Sequence, residues 1–149
     1  MRWEYDEGDS RLSIRGRITG EADLRPTAAR LRGWVEVDLS GVERINSAGV
    51  LVWLGFLRAL PQGVRLTLSR CSVAFVEQMN LLAALCRGQE VRSVLAPYLC
   101  DACGAIREDE LLVSALLRAA PPAPAPCPRC GGQMDLDVLP DAYFSFTRA

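Results

Sequence analysis

The chain has 149 residues, half of them apolar, and its 17 basic and 18 acidic residues leave a net charge of −1. This composition provides enough apolar surface for a core and excludes wholesale disorder. The small net charge gives no overall attraction to nucleic acid or to a membrane. Histidine is absent, so the commonest general base and the nucleophile pairs that need it are missing. The sequence therefore predicts a protein that is not an enzyme.

Membrane insertion and secretion are not predicted. The longest apolar stretch, residues 50–57, is far shorter than the roughly 20 residues that a membrane-spanning helix needs. Residues 1–6 mix charged and aromatic side chains, whereas a secretory signal has an apolar segment. We therefore expect a cytoplasmic protein without a transmembrane segment.

Four segments of the first hundred residues are expected to form β-strands. Apolar and polar side chains alternate in the first three, which is typical of strands with one buried face. These segments are residues 12–14, 35–39, 64–68 and 90–95. Asp38 and Gly41 are expected to end the second strand and form the turn after it.

Helical segments separate these strands. They are predicted over residues 26–31, 48–59 and 72–83, with Pro26 in the first turn of the first helix and Ser72 as the N-cap of the third. Strands and helices therefore alternate along the first region. This alternation predicts an α/β fold in which helices pack on a mixed, largely parallel sheet.

The charge distribution divides the chain near residue 97. Residues 1–97 contain 13 arginines and 11 acidic residues, whereas residues 98–149 contain four arginines and seven acidic residues. A proline- and alanine-rich segment, residues 119–126, is expected to be an extended loop because proline cannot donate backbone hydrogen bonds. We therefore predict two domains, residues 1–97 and 98–149.

Four of the six cysteines form two C-x-x-C pairs in the second domain. They are Cys100, Cys103, Cys127 and Cys130, with 23 residues between the pairs. This spacing lets both sulfurs of a pair reach one ion, and four thiolates leave no open ligand position. The pattern predicts one structural Zn²⁺ ion, with iron in the same thiolate set as the alternative metal and a dithiol redox pair as the rival interpretation.

The segment around these cysteines resembles a zinc ribbon, in which each pair lies on a short hairpin. A short helix is expected within residues 110–119, and residues 134–138 alternate as the closing strand of a ribbon should. The aromatic residues 143–146 are expected to dock on the rest of the molecule, or else to form a partner site. Nucleic acid is an unlikely partner because residues 98–149 carry an excess of acidic residues.

The first domain contains the motifs Val-Asp-Leu-Ser-Gly-Val at residues 37–42 and Ile-Asn-Ser-Ala-Gly-Val at residues 45–50. With these motifs it resembles a STAS domain, the fold of bacterial anti-sigma-factor antagonists, over roughly residues 8–96. The resemblance implies a non-catalytic signalling protein that binds a protein partner, such as an anti-sigma-like kinase. By resemblance, the loop of Asn46, Ser47, Ala48 and Gly49 contacts the partner, and Ser47 is the residue that a partner kinase phosphorylates.

Two questions stay open at the level of sequence. Asn46 stands where the family has aspartate, and Ser47 can cap the helix or accept a phosphate at its N-terminus. The function predicted first is a regulatory adaptor. The alternatives are a constitutive STAS subunit of a membrane transport complex and, with less support, a nucleic-acid-binding zinc-ribbon regulator.

Overall fold

The computed structural model describes residues 1–148 and contains two β-sheets, the larger of which is covered by helices. The strands in these residues are β1 (Arg2–Asp6), β2 (Arg11–Ile18), β3 (Trp34–Ile45), β4 (Arg65–Ser69), β5 (Glu90–Val91), β6 (Ser93–Cys100), β7 (Ile106–Leu112) and β8 (Met134–Leu136). The α-helices are α1 (Arg25–Arg30), α2 (Ser47–Arg58), α3 (Val73–Leu81), α4 (Val113–Leu116) and α5 (Pro140–Tyr143), and 3-10 turns lie at Ala83–Leu85 and Ser145–Arg148. The predicted α/β class is confirmed.

The first sheet is mixed, as predicted. Its strand order is β1-β2-β3-β4-β5, with β1 antiparallel to β2 and the remaining neighbours parallel. Helices α1, α2 and α3 connect successive parallel strands, which is why strand segments and helical segments alternate along the chain. Alternate residues such as Leu12 and Ile14 are fully buried on one face of the sheet.

Three aromatic side chains fill the space between the helices and this sheet. The Trp53 ring lies 5.0 Å from Phe56 and 5.1 Å from Phe75, measured between centroids. The indole Nε1 of Trp53 donates a hydrogen bond of 2.8 Å to the carbonyl of Leu85. Because a buried indole N–H needs a partner, this bond also positions the 3-10 turn that follows α3.

Strand β3 is longer than the sequence predicts. It passes through Asp38 and Gly41 and ends at Ile45, so the turn expected after residue 39 is wrong. The extension pairs with β2 as far as Ile18, with register shifts that absorb the irregular stretch. Pairing with a neighbouring strand therefore outweighs the local turn preference of Asp-Leu-Ser-Gly.

The second sheet has the order β7-β6-β8 and is antiparallel throughout. The helix expected within residues 110–119 is only α4, since β7 continues to Leu112 and pairs with β6 there. The closing strand predicted over residues 134–138 is present as the shorter β8. Backbone pairing with β6 again outweighs local helical periodicity.

Strand β6 connects the two sheets. Its residue Val94 forms a parallel bridge with Cys71, and Cys71 exchanges backbone hydrogen bonds of 3.1 and 2.8 Å with Ser93 and Leu95. The boundary predicted at residue 97 therefore falls inside a strand, and the chain passes from the first sheet to the cysteine region along β6.

The aromatic tail docks on the first domain, as expected. Tyr143, Phe144 and Phe146 are buried, and the Tyr143 hydroxyl donates to the Leu95 carbonyl at 2.5 Å. Asn80 of α3 donates to the Tyr143 carbonyl at 2.8 Å and accepts a hydrogen bond from the Phe146 N–H at 2.9 Å. The tail thus joins α3 to the strand that leads into the cysteine region.

Candidate metal centre and candidate partner surface

The four cysteines of the two C-x-x-C pairs come together at one end of the second sheet. Cys100 is the last residue of β6, and Cys103 lies in the turn before β7. Cys127 and Cys130 lie in the turn before β8, and β8 pairs with β6 beside Cys100. The antiparallel pairing therefore brings two pairs that are distant in sequence to the same place.

Both turns have the same backbone construction. The N–H of Gly104 donates to the Cys100 carbonyl at 3.0 Å, and the N–H of Gly131 donates to the Cys127 carbonyl at 2.8 Å. The two glycines have φ of +73° and +74°. Side chains other than glycine rarely adopt this conformation, so each pair needs a glycine after its second cysteine.

The distances between the sulfurs fit a single tetrahedral ion. All four Sγ atoms lie within 4.8 Å of one another, with 3.5 Å between Cys100 and Cys130 and 3.7 Å between Cys103 and Cys127. Metal–sulfur bonds of about 2.3 Å in a tetrahedron place sulfurs about 3.8 Å apart. A disulfide needs sulfurs about 2.05 Å apart. The donor set and its geometry therefore fit one thiolate-bound metal ion, held without an open position.

Gly132 is a residue of this centre that the sequence analysis missed. A Cβ at this position would lie 3.1 Å from the Cys100 sulfur, 3.2 Å from the Cys130 sulfur and 2.9 Å from the Ala102 Cβ. Its N–H donates to the Cys130 sulfur at 3.4 Å. The backbone thus approaches the thiolates more closely than any side chain permits. The Gly-Gly pair after Cys130 was the available signal.

Backbone donors tune the acidity of the thiols. The N–H groups of Cys130 and Arg129 lower the pKa of Cys127 to about 7, because they stabilise its thiolate. For Cys130 the N–H of Gly132 acts in the same direction, but hydrogen bonds with the Cys100 and Cys103 sulfurs raise its pKa to about 12. A metal ion that binds all four thiolates must therefore displace protons as it binds.

The predicted partner loop lies at the start of α2. Asn46 is the N-cap, because its side-chain oxygen accepts a 2.8 Å hydrogen bond from the Gly49 N–H. Ser47 is the first helical residue and is exposed. The capping role considered for Ser47 is therefore wrong, since Asn46 already provides the cap.

Gly49 allows this loop to lie against the sheet. A Cβ at Gly49 would collide with the carbonyl of Ile18, the last residue of β2. The Asn46 N–H also points to the Ile18 carbonyl, at 3.4 Å. The start of α2 is thus held against the end of β2 by close backbone contact, which orients Ser47 and Ala48 towards the solvent.

An open groove of about 520 Å³ lies beside this loop. One wall is the segment after β2, residues 20–25, and the other is a stripe of α2. The α2 stripe consists of Ala48, Leu51, Val52 and Gly55. Leu51 is 69% exposed, although it is a large apolar side chain. Across the groove, Arg25 forms an ion pair with Asp23 at 2.9 Å.

A buried carboxylate on the polar face of the first sheet was also missed. Asp38 forms ion pairs of 2.5 Å with Arg11 and 3.5 Å with Arg70, and it accepts a 2.9 Å hydrogen bond from the Ser40 N–H. Burial raises the pKa of Asp38. The hydrogen bonds from Ser40 and Arg11 and the charge of Arg70 lower it by more than burial raises it, so the pKa lies below its ordinary value. Arg11 and Arg70 are far apart in sequence, so periodicity gave no signal for this cluster.

Comparison of the chain with models of known protein families, with curated proteins and with solved structures finds no match. Among the described residues, no helix is both long and apolar enough to cross a membrane. The resemblance to STAS domains and zinc ribbons therefore rests on the residues of this chain.

Proposed function

We propose that the chain is a non-catalytic regulatory adaptor that binds a signalling protein through the Ser47 loop and the groove beside α2. The observation that carries this proposal is the pairing of an exposed serine at the start of a helix with an exposed Leu51. These residues are four positions apart, so they lie on the same face of α2. The proposal agrees with the resemblance to an anti-sigma-factor antagonist.

Phosphorylation of Ser47 is proposed as the switch. A phosphate there would lie at the N-terminus of a 12-residue helix, where free N–H groups and the helix dipole favour negative charge. It would add a charge of about −1.5 to −2 one turn from Leu51. The helix would tolerate the modification, whereas a partner contact over Leu51 would be changed.

The switch is tested by measuring binding of a co-purified protein partner to Ser47→Asp and Ser47→Ala variants. Ser47→Asp should weaken binding about ten-fold or more, and Ser47→Ala should bind like the unchanged chain. Ser114→Asp is the matched control, because Ser114 is also exposed in the first turn of a helix, α4. Equal binding by all three variants would rule out the switch.

The groove is tested separately with Leu51→Arg. This change should abolish partner binding while the thermal unfolding temperature stays unchanged, because Leu51 is mostly exposed. Leu81→Arg is the control, since Leu81 is a 79% exposed leucine at the end of α3. If Leu51→Arg binds as tightly as Leu81→Arg, the groove is not the partner surface.

Zn²⁺ is proposed as the metal of the four-cysteine centre, in a structural role. Four thiolates at tetrahedral spacing suit zinc, and iron is the other ion that prefers such a set. Metal analysis of the purified protein should give one zinc per chain. Iron at that stoichiometry, or Cys100–Cys103 and Cys127–Cys130 disulfides without metal, would overturn the assignment.

A constitutive subunit of a membrane transport complex is the second candidate. The observation that favours it is Asn46, which caps α2 where the resembled family has aspartate. Recovery of the chain with an integral membrane complex, with equal strength for Ser47→Ala and Ser47→Asp, would select this candidate. The nucleic-acid alternative has less support, because the cysteine region carries four arginines against seven acidic residues.

A further inference from the structure

Strand β1 forms an open edge of the first sheet. It pairs with β2 on one side and is the terminal strand of the five. Four of its five residues are exposed, and Trp3 exposes 39% of its surface. A shallow depression of about 440 Å³ lies over the β1–β2 pair, lined by Arg2, Trp3, Glu4 and two residues of β2. Unpaired backbone groups on such an edge are a template for another strand.

The two faces of β1 differ in chemistry. Trp3 and Tyr5 lie opposite the buried residues Ile14 and Leu12, so they are on the face that the helices cover. Arg2, Glu4 and Asp6 therefore lie on the opposite, polar face of the sheet. A strand that extends this sheet must present apolar side chains to the first face and charged ones to the second.

A second copy of β1 meets that requirement in an antiparallel arrangement. Directly opposed residues project from the same face of a sheet. The two-fold axis must therefore lie between the two copies of one residue, which is then opposite itself. With the axis at Trp3, Arg2 of each copy lies opposite Glu4 of the other, and the two indoles lie side by side. Both charge pairs are attractive, and the most exposed aromatic ring of the strand is covered.

The other long open edge shows the opposite character. Strand β7 is the terminal strand of the second sheet and carries Glu108, Asp109 and Glu110 in succession. Pairing two copies of β7 around Asp109 would place Asp109 opposite itself and Glu108 opposite Glu110. In this register, repulsion would oppose self-association of β7, whereas the register of β1 centred on Trp3 places opposite charges together.

We propose that β1 is a homodimer interface, in which two copies of the chain join their five-stranded sheets through antiparallel β1 strands centred on Trp3. This interface shares no residue with the Ser47 loop or the groove beside α2, so its success or failure is independent of the partner-binding proposal.

The test is analytical ultracentrifugation of the full chain over a concentration series. Any purification tag is placed at the C-terminus, away from β1 in the sequence, and is removed before the measurement. The expected result is a reversible equilibrium between a 16.3 kDa monomer and a dimer. Arg2→Glu and Glu4→Arg should each raise the dissociation constant at least about ten-fold, because two attractive pairs become two repulsive ones. Arg118→Glu is the control for the same charge change at an exposed arginine elsewhere.

The register is tested with the double variant Arg2→Glu/Glu4→Arg. In the proposed register it recreates both charge pairs with reversed sign, so dimerisation should return to within about three-fold of the unchanged chain. Circular dichroism checks that each variant is folded. A monomer at every concentration, a dimer that the single variants leave unchanged, or a double variant that fails to restore the dimer would each overturn the proposal.

Discussion

The two regions of this molecule are stabilised in different ways. The first sheet carries α1, α2 and α3 on one face, and its core contains large side chains such as Trp53, Phe56 and Phe75. The second sheet has three strands, of which β8 has only three residues, and four cysteine sulfurs gather at its end. A small segment buries too little apolar surface to fold by that means alone, and a metal ion held by these sulfurs would take the place of a core. The first region thus relies on burial, whereas the second gathers four sulfurs that could coordinate a metal ion.

The regions nevertheless share structure. Strand β6 begins beside Cys71 of the first domain and ends at Cys100 of the metal centre. The tail that follows the second sheet returns to α3 and is held by Asn80. Loss of the metal is therefore expected to affect the distal end of β6 first, while its proximal end remains paired with the first domain.

The largest effect is expected from removing one metal ligand. Cys127→Ser should abolish stoichiometric metal binding and unfold the region around β7 and β8, because metal affinity of about 10–16 kcal/mol supports folding in comparable small domains. Hydrogen exchange should then be fast around β7 and β8 and slow in β2, β3 and β4. Cys86→Ser is the control, since Cys86 lies outside the cluster. Simultaneous loss of protection in both sheets would show that the two regions fold as one unit.

The next largest effect is expected in the first region. Trp53→Ala removes a fully buried side chain that also donates a hydrogen bond. It should lower the free energy of unfolding by about 3–5 kcal/mol, measured by chemical denaturation of the metal-loaded protein. Trp34→Ala should change it by less than about 0.5 kcal/mol, since Trp34 is 69% exposed. Metal content should be the same in both variants if burial and coordination act separately.

A pH-dependent effect is expected at Asp38. The pKa of Asp38 in the folded protein lies below the ordinary value of 3.8. Above pH 3.8 the ion pairs with Arg11 and Arg70 therefore stabilise the fold. This stabilisation is lost as the pH falls through the pKa that Asp38 has in the folded protein. Asp38→Asn should therefore be less stable than the unchanged chain by about 1–2 kcal/mol at pH 7. The difference should shrink on acidification below pH 3.8. A constant difference from pH 7 to pH 2 would contradict the assigned ion pairs.

The smallest effect is expected at the junction between the regions. Tyr143→Phe removes the hydroxyl that bonds the Leu95 carbonyl and leaves that buried acceptor without its partner. The cost should be about 1 kcal/mol, and hydrogen exchange should increase around residues 140–148. Tyr5→Phe, at a half-buried tyrosine of β1, is the control. An unchanged exchange rate in the tail would show that the hydroxyl does not hold the tail in place.

Local patterns in the sequence determined much of the molecule. The alternation of apolar residues predicted strands in β2, β3 and β4, and the apolar segment at residues 48–59 predicted α2. The spacing of the C-x-x-C pairs predicted which four sulfurs meet. The strands, the helix and each single C-x-x-C pair depend on residues within one turn or one element of each other, so their physical causes are visible in a short stretch of sequence.

Contacts between distant segments decided the rest. Pairing with β2 extends β3 to Ile45, and pairing with β6 turns the start of a predicted helix into the end of β7. Asn46 rather than Ser47 caps α2, and Gly132 lies against the sulfur of Cys100 because β8 returns beside β6. The intrinsic preference of a residue for a helix, turn or strand is about a few tenths of a kcal/mol. Backbone hydrogen bonds and close packing between strands outweigh it. The sequence by itself therefore determined most of the elements and which four cysteines form a cluster. The tertiary structure decided where the elements end, how β6 joins the two sheets, and which strands lie at the sheet edges.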